Sequence, residues 1–326
     1  MSELALSRKS KGFGWWLDRS GTIMAFVFMI VIFGILSPYF LQPDNVVNIM
    51  IQVSPLLVTA LGIVFVNMAG ESDLSLGGVL GLGATLYCGF LKSGMHPAAS
   101  LAAVIGICVL FGILNGFLVA YLRLSSFIVT TAVMFIAMGL EKSYNNGFSI
   151  WIRDDRVTVF ANGSFLGIPN LVLLAAIIYL LTHLLLHMTR FGVHTQSVGE
   201  SFETATLMGI AVKRLKFSSF VIASAFYALG GIMYAMRSSG AIIYSGQKVL
   251  LPALAVTFVA RTVLGAKRPN TFGIIIGALL LGVINNAFTL MGAEFYLIPI
   301  AQGIVLVAAA AIATINKRDI QQEKLD

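Results

Sequence analysis

Val46 to Gly70 reads VVNIMIQVSPLLVTALGIVFVNMAG, 25 consecutive residues with no Asp, Glu, Lys or Arg among them. A helix rises about 1.5 Å per residue, so about 20 residues cross the roughly 30 Å hydrocarbon core of a bilayer. A helix packed on a soluble core keeps a charged outer face. This stretch keeps none, so it reads as a membrane crossing. Polar residues mark both ends: Pro43 and Asp44 precede it, and Glu71, Ser72 and Asp73 follow.

The same pattern of apolar runs and short charged breaks continues outward. Upstream lies Gly21–Leu36. Downstream lie Leu74–Leu91, Ala98–Leu122, Ser126–Ser143, Pro169–Leu186, Phe217–Met236, Val249–Leu264, Thr271–Met291 and Phe295–Ile315. The runs are continuously apolar rather than alternating, which favours helices over a barrel. The expected fold is all-α, a polytopic membrane protein with about ten transmembrane helices. Composition agrees, since only 11% of residues are charged where soluble domains carry about 25%. The expected organisation is a tail over 1–20, a membrane domain over 21–315 with a polar segment at 187–216, and a tail over 316–326.

Basic residues collect on the cytoplasmic side of membrane proteins. With the N-terminus inside, ten crossings put Arg8, Lys9, Lys11, Arg19, Arg123, Arg190, Lys213, Arg214, Lys216, Lys267, Arg268, Lys317, Arg318 and Lys324 in the cytoplasm. Outside fall Lys92, Arg153, Arg156, Arg237 and Lys248. The bias predicts cytoplasmic N- and C-termini. It also accounts for the net charge of +7 without nucleic acid as a partner. Val249–Leu264 is the weakest segment: Arg261 either snorkels to the surface, or the segment is a half-helix. Met1 to Arg19 is polar and basic, and Ser37-Pro38-Tyr39 after the first run is no cleavage site, so no removed signal peptide is expected.

No Walker phosphate loop, HExxH or paired-cysteine metal site occurs. The chain therefore reads as a non-enzyme with no cofactor or metal of its own. Cys88 and Cys108 lie inside apolar runs and read as buried free thiols. His183 and His187 have metal-ligand spacing but no third ligand near them. The clustered Gly77, Gly78, Gly81 and Gly83, and likewise Gly273, Gly277 and Gly282, read as close helix packing. Glu71 and Asp73 carry two readings. Acids at membrane depth are costly and functional; alternatively they sit in a turn where Asp73 caps a helix beginning at Leu74. Within 187–216, Ser201 to Ile210 is amphipathic, with Ser201 as its cap and Gly209 as its end. Such a helix either fits a groove on another protein or is a surface linker.

Together the acid motif and this polar segment resemble the permease family of bacterial sugar ABC importers, the ribose, xylose and arabinose type. That family's Gly-Ile-Asp-Leu-Ser-Val-Gly signature reads here Glu71-Ser72-Asp73-Leu74-Ser75-Leu76-Gly77. Arg190-Phe191-Gly192 matches the start of its cytoplasmic loop, and Gly199, Ala205, Gly209 and Ile210 match the helix that follows, ahead of Val212-Lys213-Arg214. Glu200, Ser201, Thr204 and Met208 depart from it. Gly282-Val283-Ile284-Asn285-Asn286 is similar to a Gly-Phe-Leu-Asn-Asn run. The similarity spans roughly Val46 to Ile315. A Gly-Gly-rich run usual in the family is replaced by Val259-Ala260-Arg261-Thr262-Val263-Leu264-Gly265-Ala266-Lys267, which points to a different ligand or to two unlike permease chains.

The resemblance implies a permease subunit in the bacterial inner membrane that passes a sugar or sugar-like solute. Its partners would be an ABC ATPase carrying ATP-Mg, a periplasmic solute-binding protein and a second permease chain, identical or related. The ATPase would grip the helix carrying Gly199, Glu200, Ser201, Glu203, Ala205, Met208, Gly209 and Ile210. A neutral solute path needs hydrogen-bonding groups, and the candidates are Asn67, Asp73, Ser75, Asn115, Asn285 and Asn286, with helix-to-helix bonding as their alternative role. The rival class is an ion-coupled secondary transporter using Glu71 or Asp73. Pentoses, hexoses, nucleosides and furanone-like signals all stay open as substrates.

Overall fold

Apolar runs too long to leave their backbone unpaired in lipid must close their hydrogen bonds internally, and helices dominate the computed structural model, which describes residues 13–263, 270–294 and 296–308. The order is α1 (Phe13–Leu36), α2 (Pro43–Met68), α3 (Leu76–Lys92), α4 (Pro97–Ala120), α5 (Ser126–Asn145), β1 (Ile150–Trp151), α6 (Asp155–Asn162), β2 (Ser164–Phe165), β3 (Ile168–Pro169) and α7 (Asn170–Met188). Then come α8 (Arg190–Glu200), α9 (Phe202–Leu207), α10 (Val212–Arg237), β4 (Gly240–Ala241), α11 (Ser245–Thr262) and α12 (Thr271–Leu290). Helix α13 covers Leu297–Ala308.

A helix lies on each of the ten apolar segments. Six of them, α2, α4, α5, α7, α10 and α12, are long and apolar enough to cross a membrane, while Gly21–Leu36, α3 and α13 are shorter apolar helices. The chain is an all-α polytopic membrane protein. Several boundaries differ from the expectation. Helix α1 begins at Phe13, ahead of Gly21. Helix α11 begins at Ser245, so Lys248 lies in its first turn rather than in a loop. The Gly-poor stretch from Leu264 on, with Lys267 and Arg268, lies outside the described residues, as do 1–12 and the C-terminal tail.

Helix α2 is the axis, buried along most of its length, and α7, α10, α11 and α12 pack around it. Helix α10 is the second internal helix, with α2, α3 and α4 against it. Small residues permit these crossings, as lipid-embedded packing requires. A Cβ on Gly231 of α10 would fall 2.3 Å from the Leu80 carbonyl oxygen of α3. The glycines of α3 and α12 serve the same end: a Cβ on Gly78 would meet the Met134 carbonyl, and one on Gly273 the Ala260 carbonyl. Cys88 and Cys108 are buried free thiols.

The loop after α5 carries structure that the sequence did not announce. Strand β1 pairs antiparallel with β4, joining the α5–α7 and α10–α11 connections at one end of the bundle. Strands β2 and β3 form a hairpin whose tip, Leu166-Gly167, has positive φ at both residues, the geometry of tight hairpin turns. Asp154 caps α6 and pairs with Arg156 at 2.7 Å. That hydrogen bond from the Arg156 guanidinium holds the Asp154 carboxyl below the ordinary carboxylate range.

Candidate functional site

At the opposite end of the bundle lies the polar segment after α7. It folds into two helices where a single one was expected. Ser201 adopts extended backbone between α8 and α9, and its hydroxyl accepts the Thr204 N–H at 3.2 Å, so it caps α9. Gly209, at φ +74°, ends the turn after α9, as a left-handed glycine does. Ala205 is buried between Val198 and Val212, and the half-buried Ile210 donates its N–H to the Ala205 carbonyl. The outer side holds Glu200, Glu203 and Gly209, all exposed. Leu207 and Met208 also face outward, at 88% and 72% exposure. Leu207 escaped sequence reading because one more leucine in an apolar chain carries no signal.

Helix α8 ends against the signature loop. A Cβ on Gly199 would fall 2.2 Å from the Met68 carbonyl oxygen and 3.0 Å from the Gly70 nitrogen. Backbone therefore meets backbone between the polar segment and the loop after α2.

That loop, residues 69–75, is tied to its neighbours one residue at a time. Glu71 pairs with Lys216 of α10 at 2.5 Å. The Ser72 N–H donates to Ser126 Oγ, and the Leu74 N–H to Thr130 Oγ1, both on α5. Asp73 is 1% exposed. Its Oδ1 accepts the Ser75 N–H at 2.8 Å and the Ser75 hydroxyl at 2.6 Å. Its Oδ2 accepts the Tyr227 hydroxyl of α10 at 3.0 Å. Asn115 Nδ2 of α4 donates to Ser75 Oγ at 3.0 Å, and the Asn115 carbonyl oxygen is buried without a partner. Helix α3 begins at Leu76 rather than Leu74. Asp73 therefore turns the chain toward the helix through its bonds to Ser75 and also anchors α10. Tyr227 was missed because a lone tyrosine in an apolar helix looks like core.

The six path candidates separate in space. Asp73, Ser75 and Asn115 form one cluster, and Asn67 is half-buried shortly before it. Asn286 lies at the other end of α2, exchanging two 2.9 Å amide bonds with Asn45. This pair closes α12 onto the start of α2 and leaves Asn286 occupied by helix bonding. Asn285 beside it is exposed. Glu141 of α5, which the sequence reading did not single out, is 5% exposed and accepts the Thr85 hydroxyl at 3.3 Å.

His183 and His187 converge on Thr271 Oγ1, at 2.7 and 3.3 Å. Among the described residues no group of three or more His, Cys, Asp or Glu is placed to hold a metal ion.

A family described as "branched-chain amino acid transport system / permease component" matches residues 45–310. The ribose import permease protein of Bacillus subtilis (strain 168) is 30% identical over 95% of this chain and 97% of its own length. The L-arabinose ABC transporter permease protein of Azospirillum brasilense is 28% identical over 92% and 89%. The D-allose transport system permease protein of Escherichia coli (strain K12) is 28% identical over 94% and 95%. No solved structure matches the chain. With its central α2, its signature loop and its polar α8–α9 segment inside the matched region, the chain belongs to this family of transport-system permease components and is the multi-pass inner-membrane permease subunit of an ABC importer.

Proposed function

We propose that the chain forms, with a second permease chain, the path for a sugar or sugar-like solute. In this reading all ten apolar helices cross the membrane, both termini are cytoplasmic, and α8–α9 lies on the cytoplasmic face. The positive-inside bias supports that orientation. An ABC ATPase with bound ATP-Mg would grip the exposed side of α9, and a periplasmic binding protein would deliver solute near the β1–β4 ribbon. The observation that carries the reading is the seating of Gly199 on the Met68 carbonyl. A partner that moves α8–α9 must also move the loop holding Asp73. ATP-driven closure of the ATPase then shifts the permease between outward- and inward-facing arrangements.

Relatives named for ribose, arabinose and allose support a sugar, although the family description names branched-chain amino acids. An amino acid brings two opposite charges that need buried counter-charges. The Asp73 carboxyl is buried and already engaged by Ser75 and Tyr227, so it offers no free counter-charge to an amino acid's ammonium. Glu71 is likewise engaged by Lys216, which argues against a free ion-coupling carboxylate.

Uptake of radiolabelled ribose, arabinose and leucine into cells overproducing the transporter tests both parts. Sugar uptake that survives a protonophore and stops when ATP is depleted supports the importer. Uptake that follows the ion gradient instead returns Glu71 and Asp73 to an ion-coupled role, and uptake of leucine alone overturns the sugar assignment.

A further inference from the structure

Lys216 stands where three parts of the molecule meet. Its Nζ lies 2.5 Å from Glu71 Oε1 in the signature loop and 5.5 Å from the centroid of the Phe202 ring at the start of α9. Lys216 itself belongs to α10, the helix that also supplies Tyr227 to Asp73. The two charged side chains are only 19% and 16% exposed. A cleft of about 250 Å³ opens beside them, walled by Ala120 and Arg123 as well as by Glu71, Phe202 and Lys216.

We propose that Lys216 is a positioning residue that carries movement of α9 into the signature loop; the inference rests on the importer reading above. The contact of Gly199 with Met68 is steric and transmits only a push. An ion pair and a cation–π contact are attractive, so they also transmit a pull. Shielding keeps the pair from the screening that weakens exposed pairs. As α9 shifts, the ammonium follows the Phe202 ring and the Glu71 carboxylate follows the ammonium. Asp73, two residues further on, must then move against the Tyr227 hydroxyl. The cleft gives the Lys216 side chain room for that excursion.

The test uses the complex extracted from native membranes with its ATPase, carrying Ser72→Cys as a reporter. Ser72 is exposed, and the native Cys88 and Cys108 are buried. Maleimide labelling at position 72 is timed with and without ATP plus vanadate. The wild-type background is expected to show a change in rate of about fivefold or more, the lower end of allosteric couplings. Lys216→Met is expected to abolish that change while ATP hydrolysis persists, and Lys216→Arg, which keeps charge and ring contact, to retain it. An undiminished ATP response in Lys216→Met overturns the inference. So does loss of the response in step with loss of ATP hydrolysis, because that marks detachment of α9 from its partner. A wild-type complex that contains no ATPase sinks the importer reading itself, a result distinct from either.

Discussion

Replacing Asp73 separates its local bonding from its chemistry. Asp73→Ala leaves the Ser75 N–H, the Ser75 hydroxyl and the Tyr227 hydroxyl without their acceptor. All three donors belong to residues with 0% exposure, so bulk water does not reach them. A buried donor left unpaired costs about 1–3 kcal/mol. The Ser75 hydroxyl is free to rotate toward another acceptor, so two full penalties and part of a third give about 2–7 kcal/mol. At about 2.1 cal/mol/K of unfolding entropy per residue, a chain of 326 residues shifts by about 1.5 °C per kcal/mol, so the melting temperature should fall by about 3–10 °C. Asp73→Asn behaves differently. Its carbonyl oxygen keeps the Ser75 bonds and its amide faces the Tyr227 oxygen, which accepts as readily as it donates. The expected cost is about 1 kcal/mol. Thermal unfolding in detergent, followed by size-exclusion chromatography of the surviving fraction, measures both. An Asp73→Ala protein that melts with the wild type would refute the bonding account. At the level of transport, Asp73→Asn should harm uptake more than Asp44→Asn, because Asp44 lies in the exposed first turn of α2; equal effects would reduce Asp73 to a turn-former.

Three further outcomes are expected. Gly199→Ala puts a methyl 2.2 Å from the Met68 carbonyl, so α8 must move away; overpacking of this kind costs about 1–3 kcal/mol, and ATP-driven uptake should fall further than Gly139→Ala, which meets open space, reduces it. Gly209→Asp forces a side chain into left-handed backbone and adds charge beside the exposed Leu207 and Met208; uptake should be lost at normal expression, and unchanged uptake would show that this face contacts no ATPase. Cysteines at Ser164 and Glu203, at opposite ends of the bundle, should be labelled only from the periplasm and only from the cytoplasm respectively, and the reverse pattern would invert the topology.

Most of the helical frame was legible because lipid imposes length and apolarity on each crossing. Segment positions from Val46 to Leu186 follow the charges closely, whereas α10 starts at Val212 and takes Lys213, Arg214 and Lys216 into its first turns; the Gly209 stop follows from backbone freedom alone. Pairing between distant segments was not legible. Asn286 looked like a path residue, yet its partner Asn45 is 241 positions away, and no local pattern announces such a pair. Tyr227 and Glu141 sit in apolar helices where their roles depend on which face meets α3 or the signature loop. The α6 helix and the β1–β4 ribbon escaped notice because they are short, and because β1 finds its partner only across the α10–α11 connection. The division of the polar segment into α8 and α9 rests on Ser201, whose capping role was visible while the helix before it was not.

In the reading proposed above, this chain works as one half of an ATP-driven machine. Gentle extraction from native membranes, followed by mass spectrometry of the intact complex, tests it directly. Two permease chains, identical or related, are expected with two copies of an ABC ATPase in fixed stoichiometry, an association lost when Leu207 and Met208 are replaced by aspartate. A chain that is extracted alone, and that still moves solute in vesicles driven only by an ion gradient, would contradict it.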